Sequence, residues 1–295
     1  MLTHLRGKTY VLMGPVNIGL YLYGDGTAAA VDTGLDDGSG RRLLTALREQ
    51  DLSLVHIINT HSHADHCGGN AFVQQRTEAI TWAAPLEAAV IENPYLEPFY
   101  LYGGDPFAQL KTKFLMAKPS RVDKKLGDIN VGLEPLQIIP LPGHAPEQVG
   151  VLTPDRVLFC ADAFFPSVTL DKYYLPYHAQ LGPTLATLAK LAHFEADIFV
   201  PAHGEVTTDI GPVLTANRQR LEEISELILN LLSEPLSREQ IVAWFYRQKG
   251  IPTSTSQYFL ATATISAHLT YLAEQGHIRP KVKGGILNWK RTDYA

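Results

Sequence analysis

Only two cysteines, Cys67 and Cys160, occur in 295 residues. That is too few for a disulfide framework and agrees with a reducing compartment. No run approaches the ~18–20 consecutive apolar residues needed to cross a bilayer, so no membrane partner is expected. The opening MLTHLRGKTYVLMGPVN lacks a sustained apolar segment and a small-residue cleavage site. No signal peptide is therefore expected, and the location is expected to be cytoplasmic. Excess positive charge is also missing: a net charge of −5 gives no whole-molecule pull toward nucleic acid or acidic lipid. There is no internal repeat and no low-complexity tract, which argues against a solenoid or a disordered chain.

What is present is an ordinary globular composition, 45% hydrophobic and 19% charged. The length allows one large or two modest domains. Charge is unevenly spread. Residues 211–295 hold ten Lys and Arg against seven Asp and Glu, about +3, which leaves about −8 on the rest. That asymmetry suggests a division into 1–210 and 211–295.

Strand-like runs dominate the first part: TYVLMG, IGLYLYG, AAAVDTG, LVHII (54–58), AITWAA (79–84), PLQIIPL (135–141), VGVLTP (149–154), RVLFCAD (156–162) and DIFVPAHG (197–204). GDGT supplies a hairpin turn. Helical spacing appears at 40–50, with Leu43, Leu44 and Leu47 on one face, and at 184–194. This mixture predicts an α/β sandwich. Residues 85–130 interrupt it with a Pro-, Gly- and aromatic-rich insertion; a lid, binding loop or interface and a surface element packed on the core are both open. From about 212 the chain turns helical. Three amphipathic stretches, the second opening on Ser237 with Gln240 three residues on, precede a basic hairpin around Gly284 and Gly285. That order is expected of a small, mostly helical winged helix.

THSHADHCGG, residues 60–69, follows LVHIIN directly. Alternation puts His61 and His63 on one side of an extended segment, with Asp65 and His66 on the turn beyond. Imidazole nitrogen and carboxylate oxygen suit zinc and other first-row cations. Alone, the stretch favours a metal site, with a histidine-rich polar loop as the other reading. His144, Asp162 and His203, however, each stand at the end of an apolar run, where a loop can carry them to a shared site. The other histidines (His4, His56, His178, His193, His268, His277) share no such placement. Cys67 reads as a small buried residue before a tight Gly68–Gly69 turn, and Cys160 as core.

His61-x-His63-x-Asp65-His66, then His144, Asp162 and His203, with VDTG at 31–34, resembles the metallo-β-lactamase superfamily of hydrolases over residues 1 to about 210. The resemblance implies a four-layer αβ/βα sandwich with two divalent ions at one edge, zinc foremost and iron or manganese as alternatives. By position, His61, His63 and His144 would hold the first ion and Asp65, His66 and His203 the second, with Asp162 bridging. Paired ions ~3.5–4 Å apart hold a bridging hydroxide, because coordination lowers the pKa of water from ~15.7 toward ~7. Asp65 would take or relay the proton, and Asp32 would orient a ligand or loop by hydrogen bonds rather than bind metal.

The superfamily cleaves many bonds, so the ligands give a mechanism without a substrate. A small-molecule thioester, ester or lactone is expected. AFFPSVTLDKYYLPYHAQ, after Asp162, is the expected place for substrate contacts: Lys172, Tyr174 and His178, with Tyr173 as the catalytic hydroxyl aimed at a developing oxyanion. Glyoxalase II-like thioesterases use a lysine and a tyrosine in a similar loop; tyrosines that merely pack the loop on the sheet are the competing account. The C-terminal part resembles the winged helix of lactamase-like proteins that include an endoribonuclease. Lys281, Lys283, Lys290 and Arg291 would suit phosphates, but such modules also serve packing or homodimers. Two other activities stay open: a single-strand nuclease, and a mononuclear iron persulfide dioxygenase using His61, His144 and Asp162.

Overall fold

The computed structural model describes residues 2–127, 132–251 and 253–292. One sheet takes seven strands in chain order: β1 (Leu2–Arg6), β2 (Thr9–Leu12), β3 (Ile18–Leu22), β4 (Thr27–Val31), β5 (Ser53–Ile58), β6 (Ile80–Ala83) and β7 (Lys124–Lys125). Its first four strands are antiparallel and the rest parallel. A second sheet has the order β11-β10-β9-β8, from β8 (Gln137–Pro140), β9 (Val149–Leu152), β10 (Val157–Ala161) and β11 (Ile198–Pro201). Seven helices join these strands: α1 (Asp37–Arg48), α2 (Ala64–Cys67), α3 (Asn70–Gln74), α4 (Pro85–Glu92), α5 (Leu96–Tyr102), α6 (Ser167–Lys172) and α7 (Leu181–Leu191).

Successive strand residues face opposite sides of a sheet, so each strand serves two cores. Ala29 and Val31 of β4 meet Val157 and Phe159 of β10 between the sheets. Ala28 and Ala30 turn outward onto Leu43 and Leu47 of α1. Leu158 and Cys160 turn the other way, onto Leu188 and Leu191 of α7. The result is helix, sheet, sheet, helix. Full burial of such side chains contributes roughly 1.5–3 kcal/mol each. Gly19 is one point where the sheets come too close for a side chain: a Cβ there would lie 2.5 Å from the Phe159 ring.

The C-terminal part contains α8 (Gly211–Leu231), β12 (Leu236–Ser237), α9 (Arg238–Lys249), α10 (Thr255–Glu274), β13 (Ile278–Lys283) and β14 (Ile286–Arg291). Ser237 and Gln240 form the reciprocal capping box at the start of α9. The hairpin turns on Gly284 and Gly285, both at positive φ, which is the backbone a two-residue primed turn demands. Phe245 and Ile265 centre a separate apolar cluster. The expected division at 210/211 falls just before α8, but this helix serves both parts. Leu214 and Leu221 pack on the second sheet, whereas Ile224 and Ile228 pack with α9 and α10.

The insertion at 85–130 is ordered as α4, α5, a 3-10 turn at Ala108–Leu110 and β7, which adds an edge strand to the first sheet. Residues 128–130 of it, like the last three of the chain, lie outside the described residues. Tyr102 and Phe107 both meet Phe259 of α10 edge to face, so the insertion reaches across to the C-terminal part. No helix among the described residues is long and apolar enough to cross a membrane.

Candidate metal centre

Five chain segments deliver their ends to one edge of the sandwich. The chain leaves β4 at Asp32 and β5 at Asn59, and its next residues run extended to His63, which opens the single turn α2 carrying Asp65 and His66. His144 lies between β8 and β9, Asp162 follows β10, and His203 follows β11. Two residues beside these ends have positive φ without being glycine, Asp32 (64°) and Ala161 (50°). Aspartate tolerates that region, but for alanine it costs roughly 1–2 kcal/mol, so the turn into Asp162 is held against a local cost. Gly68 is needed for another reason: a Cβ would lie 1.9 Å from the Leu35 carbonyl oxygen, so only glycine lets α2 approach that backbone.

The donor atoms fall into three overlapping groups, each within 4.8 Å: His61, His63 and His144; His61, His66 and Asp162; Asp65, His66 and His203. His144 Nε2 and His61 Nε2 lie 2.9 and 3.0 Å from His63 Nδ1. Asp162 Oδ2 is 3.1 Å from His66 Nε2 and 3.4 Å from His144 Nε2, and its Oδ1 is 3.6 Å from His203 Nε2.

Outer hydrogen bonds fix which nitrogen faces inward. His144 Nδ1 donates to the Tyr177 carbonyl (2.9 Å) and His203 Nδ1 to that of Pro15 (2.7 Å). A carbonyl only accepts, so Nδ1 must carry hydrogen, and in the neutral ring Nε2 presents a lone pair. Asp32 does the same for His66, with Oδ2 2.8 Å from Nδ1, while it accepts from the Thr60 amide and hydroxyl (2.8 Å each). Thr60 gives its proton to Asp32, so its oxygen is free to accept from His61 Nδ1 at 3.1 Å. Converging lone pairs need a cation between them. Asp162 Oδ1 is buried with no hydrogen-bond donor, a lone pair that a metal ion would satisfy. The residues fit a metal.

Charge follows the same division. Burial, then the neighbouring rings, keep His61 well below its ordinary pKa, and burial with His144 lowers His63 to about 3. These rings are neutral and ready to bind. For His203 burial also lowers the pKa, but Asp162 and Asp65 outweigh it and raise it to about 9. His66 is likewise pushed well up, against burial, by Asp32, Asp65 and Asp162. Burial would raise Asp65, yet His66 and His203 bring it to about 2.

A cavity of about 610 Å³ opens on His63, Asp65, His144, Asp162 and His203. Lys172 and Tyr173 line it, whereas Tyr174 and His178, the other two expected substrate contacts, are not brought to it. The Tyr174 hydroxyl bonds to Glu223, and its ring lies between Arg220 and Lys249 on the C-terminal side. His178 is buried behind His144, its ring 6.0 Å away. Cys67 is buried, and its thiol donates to the Ser62 carbonyl rather than joining the donors.

Three residues not singled out by the sequence also shape the site. Tyr177 stands 5.4 Å, ring to ring, from both His63 and His144. Glu97, from α5, is buried in the cavity wall, and burial followed by the Asp65 charge pushes its carboxyl well up. Glu87, from α4, accepts from the amides of Ser62 and Glu147 (3.0 Å each), clamping the His61–His63 segment to the loop after His144. Glu87→Ala leaves both amides without that acceptor. It is expected to cost about 2–3 kcal/mol in a denaturant melt and to loosen metal binding. A variant with unchanged stability and affinity would show the clamp to be idle.

Comparison with known proteins agrees with this arrangement. The model of the metallo-beta-lactamase superfamily matches residues 12–203. A linear primary-alkylsulfatase of Pseudomonas sp. is 25% identical over 89% of this chain and 54% of its own length. A hydroxyacylglutathione hydrolase of Albidiferax ferrireducens is 29% identical over 53% of this chain and 52% of its own. The chain thus spans about half the length of these two curated relatives. A metallo-beta-lactamase family protein from Thermus thermophilus superposes with TM-score 0.75 over 97% of this chain and 99% of that one, at 22% identity, which shows the shared fold.

Proposed function

Because this chain belongs to the metallo-β-lactamase superfamily of hydrolases, we propose that it is a dinuclear metal-dependent hydrolase acting on a small thioester, ester or lactone. The observation that carries the reading is the position of Asp162, whose two oxygens face different histidines of a seven-residue donor set. His61, His63 and His144 would hold one divalent ion, Asp65, His66 and His203 the other, and Asp162 both, with zinc the preferred metal. Bound there, such ions supply a water of lowered pKa and a Lewis acid for the scissile group.

The chain's own side chains account for the rest. Asp65 is anionic at neutral pH and half-exposed at the cavity, so it can accept a proton. Tyr173 and Lys172 line the same space, where a phenol or ammonium can hydrogen-bond a substrate oxygen. Asp32 holds His66 and Thr60 in place and does not face substrate. The name of the hydroxyacylglutathione hydrolase relative supports a thioester, while that of the alkylsulfatase points to a sulfate ester. A mononuclear iron dioxygenase would need only His61, His144 and Asp162 and would leave Asp65, His66 and His203 without a role. The order α8, β12, α9, α10, β13, β14 supports a winged helix, and Gln257 and Leu260 of α10, which line the cavity at the donor cluster, support its serving as a wall of the site over a nucleic-acid role.

Elemental analysis of protein purified without added metal or chelator tests the reading. About two zinc per chain, with turnover in a screen of thioesters, esters and lactones, is the expected outcome; close to one iron per chain would overturn it. Within the cavity, Tyr173→Phe is expected to lower kcat/KM by roughly 10²-fold, the range for loss of an oxyanion donor. Tyr174→Phe should leave it within about twofold, since its hydroxyl is engaged elsewhere. Equal kinetics for both variants would remove Tyr173 from catalysis.

A further inference from the structure

A second cavity, about 880 Å³, shares the walls His63 and Tyr177 with the ligand-bearing one. Its volume lies in the range of small-molecule sites, roughly 300–1,000 Å³. Leu86, Val90, Leu96 and Phe99 of the insertion form one side, Leu181 of α7 and Ala263 of α10 the other. Thr262 and Ser266 on the α10 wall are already engaged. The Thr262 hydroxyl donates to the Tyr258 carbonyl (2.7 Å) and that of Ser266 to the Thr262 carbonyl (2.9 Å), each four residues back along the helix. Their protons are thus spent within the helix, and Gln180, Arg238 and Glu274 add polar groups elsewhere in the lining. At the rim, Arg238 is engaged by Glu239 and Ser266. Leu86, Leu96 and Phe99 nevertheless remain exposed to solvent. Exposed apolar side chains gathered in one concave space beside a reactive centre are what a small-molecule site presents.

We propose that this chamber receives the aliphatic chain of the substrate, whose hydrolysable bond lies at the donor cluster beyond His63 and Tyr177. The substrate class is then an ester or thioester of a medium or long unbranched acyl chain. This assignment rests on the hydrolase reading above for the bond, but on the chamber alone for the chain. His63 and Tyr177 are the two residues the linings share, so a chain whose hydrolysable bond lies at the donors enters the chamber past these two side chains. The insertion and α10 then act together, each building one side of the pocket that selects the substrate.

Two measurements on the full-length, metal-loaded protein test this. The first is kcat/KM for p-nitrophenyl esters from acetate to dodecanoate. The expected result is a rise of about fourfold per added methylene until the chamber is filled. Ala263 is half-exposed on the wall, so Ala263→Trp fills space without disturbing the core. It should lower kcat/KM for the dodecanoate ester at least tenfold while leaving the acetate ester within twofold. A flat chain-length profile, or an equal loss on every ester, would overturn the proposal. The second is a calorimetric titration with dodecanoate, which needs no turnover. Binding weakened at least tenfold by Ala263→Trp supports the chamber even if no ester is cleaved, in which case the hydrolase reading fails alone. Absence of dodecanoate binding, including through occlusion of the chamber by a second copy, sinks the proposal whatever the esters do.

Discussion

Asp162→Ala is expected to abolish metal-dependent turnover, lowering kcat/KM on the order of 10⁴-fold or more, and to lower the metal content of the purified protein. The size follows from position. Asp162 is buried, with Oδ2 within 3.4 Å of the inward nitrogens of His66 and His144 and Oδ1 3.6 Å from that of His203. It is the only carboxylate in the group that touches both histidine sets; Asp65 reaches His203 alone at 3.4 Å. Its removal leaves the remaining donors without a shared anion, and residues that act as a unit fail together rather than additively. Asp162→Asn keeps the shape and one acceptor oxygen, and should fall between wild type and alanine in metal content. Metal analysis beside steady-state kinetics separates the two effects. Full activity in Asp162→Ala would remove the metal assignment altogether.

Metal affinity is expected to rise steeply with pH, by at least about tenfold per unit between pH 6 and 8. His203 has a pKa of about 9 in the metal-free protein, so it carries a proton throughout that window. An imidazole binds metal only when neutral, and binding therefore displaces that proton. The sign is fixed: acid competes with metal, alkali relieves the competition, and the contribution of His203 levels off above about pH 9. His66, also pushed well above its ordinary value, adds a second proton and steepens the slope. His63, at about 3, and Asp65, at about 2, have already lost theirs and add nothing in this range. Competition against a chelator of known affinity at pH 6, 7 and 8 measures the slope directly. A slope near zero would mean that His203 is not a ligand.

Much of the centre could be read from the chain because its chemistry is written locally. His61, His63, Asp65 and His66 fall within six residues, and His144, Asp162 and His203 each follow an apolar strand, so spacing and hydropathy alone singled them out. The run AAAVDTG marked a strand, but because it is apolar throughout it did not show that Ala28 and Ala30 face one core and Ala29 and Val31 another. The substrate side was not. Tyr173 caps α6 with extended backbone angles, and at such a helix end neighbouring side chains diverge: Tyr173 lines the cavity, and Tyr174 turns to Glu223. Helical periodicity ends there, so no pattern separates the two tyrosines in the sequence. Glu87 and Glu97 were hidden for a different reason. Each is a single acid in an aromatic-rich insertion, and its meaning depends on the tertiary path that carries α4 and α5 over the site.

α8 pins more than its own neighbours. Asn217 on this helix accepts from the Phe165 amide (2.9 Å) and donates to its carbonyl (2.7 Å), tying down the loop that begins at Asp162. Further along, Ile224 and Ile228 belong to the C-terminal cluster. A cut within α8 is therefore expected to open both clusters. Heated slowly, the chain should absorb its heat in a single calorimetric peak, with the loop after Asp162 lost in the same event as the C-terminal hairpin.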